Sequence, residues 1–156
     1  MQVPFGEWLP DQPAYLNPGA NEADNVYYAA RSYKPFPSLV KFSTNNIGAN
    51  SKGAGSFRST SNVANNFAAT KTNIYKLEQG SFTSIKSGLT GTDTDFFTFT
   101  QFGDHIIASN GKDAPQYFLM GTSTNFANLN SIQTAGTCPL FRVSGVVRDF
   151  LVTGNI

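Results

Sequence analysis

Residues 95–120 read DFFTFTQFGDHIIASNGKDAPQYFLM, and the fold class turns on this stretch. Phe96, Phe97, Phe99 and Phe102 crowd a β-prone first segment, and Phe102-Gly103-Asp104 supplies a tight turn. Ile106-Ile107-Ala108 carries a second strand, and Asn110-Gly111 opens a connection to a third at Tyr117-Phe118-Leu119. Strand, turn, strand, polar connection and strand make one antiparallel sheet unit. No catalytic signature competes with it elsewhere, so the residues alone lead to an all-β assembly or binding module.

Working outward, the unit recurs. Asn66–Thr70, Ile74–Leu77 and Ser81–Ile85 match His105–Ser109, Gln116–Leu119 and Asn125–Leu129, and a third copy opens at Asp149-Phe150-Leu151-Val152-Thr153-Gly154. Aligned on Phe67, Ile106 and Phe150, the copies are 39 and 44 residues apart, close to the roughly 40 to 50 residues of a β-propeller blade. Each copy is expected to be a four-stranded antiparallel blade whose apolar faces need neighbouring blades. A closed propeller takes about four to eight blades, and only two copies and the start of a third are recognisable. The expected fold is therefore all-β, an incomplete propeller-like set of antiparallel blades. Either the chain is the N-terminal part of a longer protein, or its sheets close against other subunits. No window shows a 3.6-residue apolar period, so little helix is expected.

Residues 1–24 read as a separate extended, Pro-rich N-terminal arm, with residues 25–156 as the partial propeller. Pro4, Pro10, Pro13 and Pro18 break helices and remove backbone donors, while Phe5, Trp8, Leu9, Tyr15 and Leu16 supply apolar anchors. A disordered tail rarely carries aromatic residues so densely. The arm packs on its own domain or reaches across a neighbouring subunit; the residues leave both open. A short strand from Asn25 leads to the rigid corner Pro35-Phe36-Pro37, and 41–55 reads as a polar loop before a strand at Ser56–Thr60.

Composition excludes several function classes. Charged residues make up 13% of the chain, about half the usual share, and the net charge is +1, too little to concentrate nucleic acid through counterion release. The one cysteine, Cys138, rules out an intrachain disulfide and a multi-cysteine zinc site. No window approaches about 18 consecutive apolar residues, so no membrane insertion is expected.

The remaining motifs are weak as chemistry. In Asn46–Ser56, NIGANSKGAGS, Lys52 precedes the glycine it should follow in a phosphate loop. The one histidine, His105, lies beside Asp104 without a nucleophile elbow. Asp93 and Asp95 could pair or hold calcium, but the glycine-plus-acid pattern that should follow is missing. The phenylalanines at 96–102 could stack bases, yet no lysine or arginine lies between Lys86 and Lys112. These rings are expected in a blade core or between subunits. No catalytic, cofactor-binding or metal-ligating residue is expected.

Short motifs across most of the chain resemble the β-propeller tail proteins of short-tailed bacteriophages, called nozzle, hub or tail accessory factor. They are Phe5–Pro10, Tyr33-Lys34-Pro35-Phe36-Pro37-Ser38-Leu39, Phe102–Gly111, Asp113-Ala114-Pro115-Gln116 and Val146–Gly154. Asn-Gly-x-Asp-Ala-Pro-Gln and Arg-Asp-Phe-Leu-Val are the most specific. The resemblance implies a non-enzymatic structural protein of the virion, located in the phage tail. It further implies a homohexameric ring below the portal and adaptor, with tail fibres or spikes around it, through which genome DNA passes without specific binding. Family members continue well past the length of this chain, which fits an N-terminal portion. The assembly contacts expected are Phe5, Trp8, Tyr15, Tyr33 and Phe36. A stand-alone β-repeat binding module, for instance for carbohydrate through Tyr117 or Phe126, is the alternative; a propeller hydrolase lacks the sialidase-type Asp box.

If Trp8 anchors the arm, Trp8→Ala lowers the melting temperature or disrupts ring assembly. Unchanged melting and unchanged particle mass would refute that role.

Overall fold

A computed structural model describes residues 6–13, 15–29, 32–38, 40–134 and 136–155. The chain divides into two compact units, through Lys41 and from Phe42 onward.

In the first unit the Pro-rich segment doubles back. Ala20 N donates to Glu7 O and Leu9 N to Ala20 O, each at 3.0 Å, around a parallel bridge between Trp8 and Ala20. Strands β1 (Val26–Ala29) and β2 (Ser32–Pro35) form an antiparallel hairpin. The Tyr33 hydroxyl donates to Gly6 O at 2.8 Å. That bond ties hairpin to arm, and the compact unit runs beyond residue 24 through Lys41.

The second unit is all-β and antiparallel. Strands β3 (Gly53–Arg58), β4 (Ala64–Ala69), β5 (Ile74–Glu78) and β6 (Ser81–Lys86) pair in chain order as one four-stranded sheet. Strands β7 (Thr98–Phe102), β8 (His105–Ser109), β9 (Gln116–Leu119) and β10 (Ala127–Asn128) repeat the pattern. A 3₁₀ turn at Leu129–Ile132 follows, with its second amide, Asn130 N, held by Asn128 Oδ1 of the N-cap. The hairpin β11 (Val143–Val147) and β12 (Phe150–Gly154) starts a third sheet.

The expected strand at Ser56 instead begins at Gly53. Lys52 N donates to Ala69 O at 2.7 Å and Phe97 N to Lys52 O at 2.8 Å, drawing the glycine against the next sheet. A β-carbon at Gly53 would collide with the Phe97 carbonyl. The small residues of GAG thus admit close backbone approach and belong to a strand rather than a loop.

Alternation along the strands places the core. Phe67 and Ala69 of β4 face the second sheet, which answers with Ile106, Ala108, Phe118, Met120 and Phe126. Phe67 lies 5.2 Å from Phe118 and 5.4 Å from Phe126, edge-on to both, and stacks on Phe99 at 6.4 Å. The opposite face of β8 carries Ile107, which packs with Leu129, Phe141 and Leu151 against the third sheet. Strand β8 is therefore buried on both faces, as a blade between two neighbours requires.

That geometry corrects the repeat alignment by one residue. Phe67 faces the following sheet, whereas Ile106 faces the preceding one, so they are not equivalent positions. The counterpart of Phe67 is Ile107, 40 residues on, because each packs against the next sheet. Similarly β8 and β12 begin at 105 and 150, and their hairpin turns place Gly103 and Arg148 at φ 59° and 54°, both 45 residues apart. The alignment at 39 and 44 residues follows residue type but reverses the faces, since side chains alternate with period two.

Phe67 fills the centre of the interface between sheets. Phe67→Ala should cost about 3–5 kcal/mol and lower the urea midpoint sharply; a shift no greater than that of an exposed substitution such as Phe150→Ala would show the interface is not the core.

Candidate assembly surface

Of the contacts expected from sequence, Phe5 lies outside the described residues. Trp8 is 55% exposed and Tyr15 83%; the Trp8 indole N–H donates to Asn21 O at 3.2 Å. On the hairpin, Phe36 is 62% exposed and leans on Tyr27, with ring centres 5.6 Å apart, while half-buried Tyr33 meets Tyr28 edge-on at 5.8 Å. Trp8 and Tyr33 are thus held by local bonds, whereas most of the Tyr15 and Phe36 rings remains open to contact. Pro35-Phe36-Pro37 positions Phe36, because two prolines fix the backbone around it.

A second apolar surface escaped the sequence reading. The β11–β12 hairpin exposes Val143, Val147, Phe150 and Val152, all on the side away from β7 by alternation, because Ser144 and Leu151 face the second sheet. The alternating pattern was legible, but which side a neighbour covers is set by the repeat geometry.

The glycan platform considered for Phe126 is contradicted: the ring is only 4% exposed and sits in the aromatic core. Tyr117 is half-buried against the third sheet. A broad cleft of about 800 Å³ does lie on the first sheet, lined by Phe42, Asn65, Asn66, Lys76, Glu78 and Thr83 among others.

The polar motifs mostly hold loops together. Both Asp104 carboxylate oxygens accept from Thr60, at 2.8 Å from its N–H and 2.6 Å from its hydroxyl, clamping the first turn of one sheet to that of the next. The Thr60 hydroxyl, then its N–H, hold the Asp104 carboxyl below the usual carboxylate value. His105 instead has its ring 6.3 Å from that of Tyr117. In the connector, Asp113 accepts from the Thr90 N–H and hydroxyl and from the Asn110 amide at 2.8 Å. Partial burial pushes the Asp113 carboxyl up, but the Thr90 hydroxyl and the Asn110 amide outweigh it and bring the pKa down. Asn110 Oδ1 also accepts from Lys112 N and Asp113 N. These bonds account for Asn110 and Asp113 of the Asn-Gly-Lys-Asp-Ala-Pro-Gln segment as a folded connector. Gln116 Nε2 donates to Ala114 O at 2.6 Å, while its buried Oε1 has no hydrogen-bond donor among the described residues.

The acidic pair separates as well. Asp95 accepts from the Thr92 hydroxyl at 2.6 Å and from Arg142 at 3.1 Å, and the Thr92 hydroxyl is the main cause of its lowered pKa. Asp93 pairs with Lys71 at 3.6 Å. Among the described residues no three His, Cys, Asp or Glu side chains gather as a metal site, and burial raises the Cys138 thiol pKa. Positive charge, absent from the sequence around the phenylalanines, arrives through space: Lys52 Nζ stands 5.5 Å from the Phe96 ring centre. Neither this contact nor the Thr–Asp clamps had a local sequence signal, since their partners lie 23 or more residues apart.

No helix among the described residues is long and apolar enough to cross a membrane. No family model, curated protein or solved structure matches the chain.

The lowered carboxylates fix the sign of a pH effect. Folded Asp104 and Asp113 bind protons less readily than unfolded ones, so their stabilisation is complete above the ordinary value of 3.8 and is lost as pH falls through the lower folded values. The denaturant midpoint should hold steady near neutrality and drop below about pH 4. The drop should be shallower in Asp104→Asn and Asp113→Asn; an equally steep fall in both variants would contradict the clamps.

Proposed function

We propose that the chain is a non-enzymatic structural component of a bacteriophage tail, part of a nozzle or hub ring around the DNA exit channel below portal and adaptor. The observation that carries this reading is the repeat itself. Two four-stranded sheets and the β11–β12 hairpin pack face to face in succession, and the first strand of each contacts the first strand of the next, β3 with β7 and β7 with β11. This is the spatial order of blades arranged around an axis. The resemblance of Asn110–Gln116 and Arg148–Val152 to that family supplies the biological assignment, and the Asn110–Asp113 connector geometry is compatible with it.

Surface chemistry supports a conduit. With a net charge of +1 the wall offers DNA little to hold, and a chain that must pass through a ring should meet few phosphate-binding cations. The aromatic hairpin and the valine-rich face of the third sheet provide apolar area for contacts between identical subunits. Asp104 and Asp113, the acids beside and beyond the one histidine, are occupied by threonines, which suits scaffolding rather than proton transfer.

A second reading, a neutral-glycan module, draws on one feature: Phe42 is exposed beside the amide- and hydroxyl-bearing cleft of the first sheet. Electron microscopy of the purified protein decides between them. Six-fold rings with an open centre, and no retention of duplex DNA at moderate salt, are expected. A monomer that binds oligosaccharide and loses that affinity in Phe42→Ala would replace the tail reading.

A further inference from the structure

Charge is distributed unevenly over this chain. Before Arg31 there are four acids, Glu7, Asp11, Glu22 and Asp24, and no lysine or arginine. All four are exposed, and none enters an ion pair among the described residues.

The second unit sorts its charges by strand end. The hairpin turns and the strand residues beside them carry Arg58, Lys76 and Arg148 with Glu78, Asp104 and Asp149, three of each sign. The connecting segments at the opposite end carry Lys52, Lys71, Lys86, Lys112 and Arg142 with Asp93, Asp95 and Asp113, five cations against three acids. The fold gathers these cations across blades. Lys71 Nζ stands 3.6 Å from Asp93 Oδ1, and Lys52 Nζ donates to Asp93 O at 2.5 Å. Gly91 lies against the Lys71 carbonyl and the Asn110 amide, while Gly111, next to Lys112, lies against the Arg142 side chain. Asp95 is buried and half-buried Asp113 is held by Thr90 and Asn110, which leaves Asp93 as the one exposed acid beside exposed Lys71, Lys112 and Arg142.

We propose that the acidic arm of one copy docks on the cationic connector end of a second copy. Opposite charge supplies the match, and it sets which surfaces meet more than how tightly. The polypeptide enters the second unit at Phe42, where Thr44 N donates to Gly80 O at 2.7 Å, so the entry is at the turn end, where the charges cancel. The cationic end is a strand length away, roughly 17–20 Å, which favours an arm arriving from another copy. A duplex phosphate backbone fits this end less well, because its charges recur at every step and Asp93, its side chain 80% exposed, stands among the cations. The contact is heterologous, and such contacts repeat from copy to copy until a ring closes. It names the subunit junction of the ring proposed above and rests on that reading for its closure, while the docking itself stands on charge complementarity.

Sedimentation of the full chain over a concentration series should show association that weakens about tenfold or more between about 0.05 and 0.5 M salt, as exposed charges are screened. Association at low salt should be lost in the chain carrying Lys71→Glu with Lys112→Glu. It should also be lost in the chain carrying Glu7→Lys, Asp11→Lys, Glu22→Lys and Asp24→Lys. An equimolar mixture of the two should recover it, because each arm then meets a surface of opposite sign on the other chain; docking within one copy gives no such recovery. Lys71→Gln with Lys112→Gln, which removes charge without adding repulsion, should weaken association partway and covers the case in which reversal prevents folding. A parent chain that stays monomeric, association unchanged in the glutamine variant, or reversed chains that keep their melting temperature yet fail to recover on mixing would each overturn the proposal. So would duplex DNA retained by the parent and released by Lys71→Glu with Lys112→Glu, which would make this end a phosphate surface. Recovered association without six-fold rings would sink the tail reading alone; six-fold rings that persist through both sets of reversals would sink the arm contact alone.

Discussion

The second unit depends on one packed contact, the meeting of Phe67 with Phe99, Phe118 and Phe126 between the first two sheets. A meander of four strands has two faces and cannot bury either by itself. Here the first sheet contributes Phe67, Ala69, Ile74 and Ile85, and the second contributes rings that approach mostly edge to face, the arrangement the aromatic quadrupole favours. Gly53 and Gly55 leave room for this approach on the inner strand, where side chains would strike Phe97 and Phe57.

The contact imposes a direction on the whole chain. Once one face of the second sheet is committed to the first, the other must find a partner, and Ile107 with Leu129 meets Phe141 and Leu151 of the third. The same logic leaves the far side of β11–β12 apolar and uncovered among the described residues. Polar side chains then fasten one repeat to the next. The Asp104–Thr60 and Thr100–Ser144 bonds link neighbouring sheets, and the Asp113–Thr90 bond holds the connecting segment against the second. Because a carboxylate accepting several hydrogen bonds favours its charged form, these clamps also make cohesion of the repeats sensitive to acid.

The acids and the histidine of the loops belong to the framework. Asp104 and His105 sit together in sequence, but Asp104 turns to Thr60 and His105 to Tyr117. Asp93 and Asp95 diverge to Lys71 and Arg142. Lys52, out of place for a phosphate loop, lies over Phe96 and opens the first blade. Outside this framework the surface carries the exposed apolar side of β11–β12 and the cleft on the first sheet.

The sequence by itself determined the all-β class, the blade-length repeat, the tight turn at Gly103-Asp104 and the arm rich in proline and aromatic residues, because these follow from local alternation, turn chemistry and fixed φ angles. It named Phe5, Trp8, Tyr15, Tyr33 and Phe36 as assembly contacts without distinguishing them; the folded chain leaves Tyr15 and Phe36 largely exposed and bonds Trp8 and Tyr33 within their own unit. Only the tertiary structure decided the rest. Phe67 corresponds to Ile107 rather than Ile106, Gly53 belongs to a strand, and Phe126 is core. Alternation says that two faces exist. Which face meets which neighbour is settled by contacts about 40 residues apart in sequence, and a one-residue slip leaves the composition of a strand unchanged while turning every side chain over.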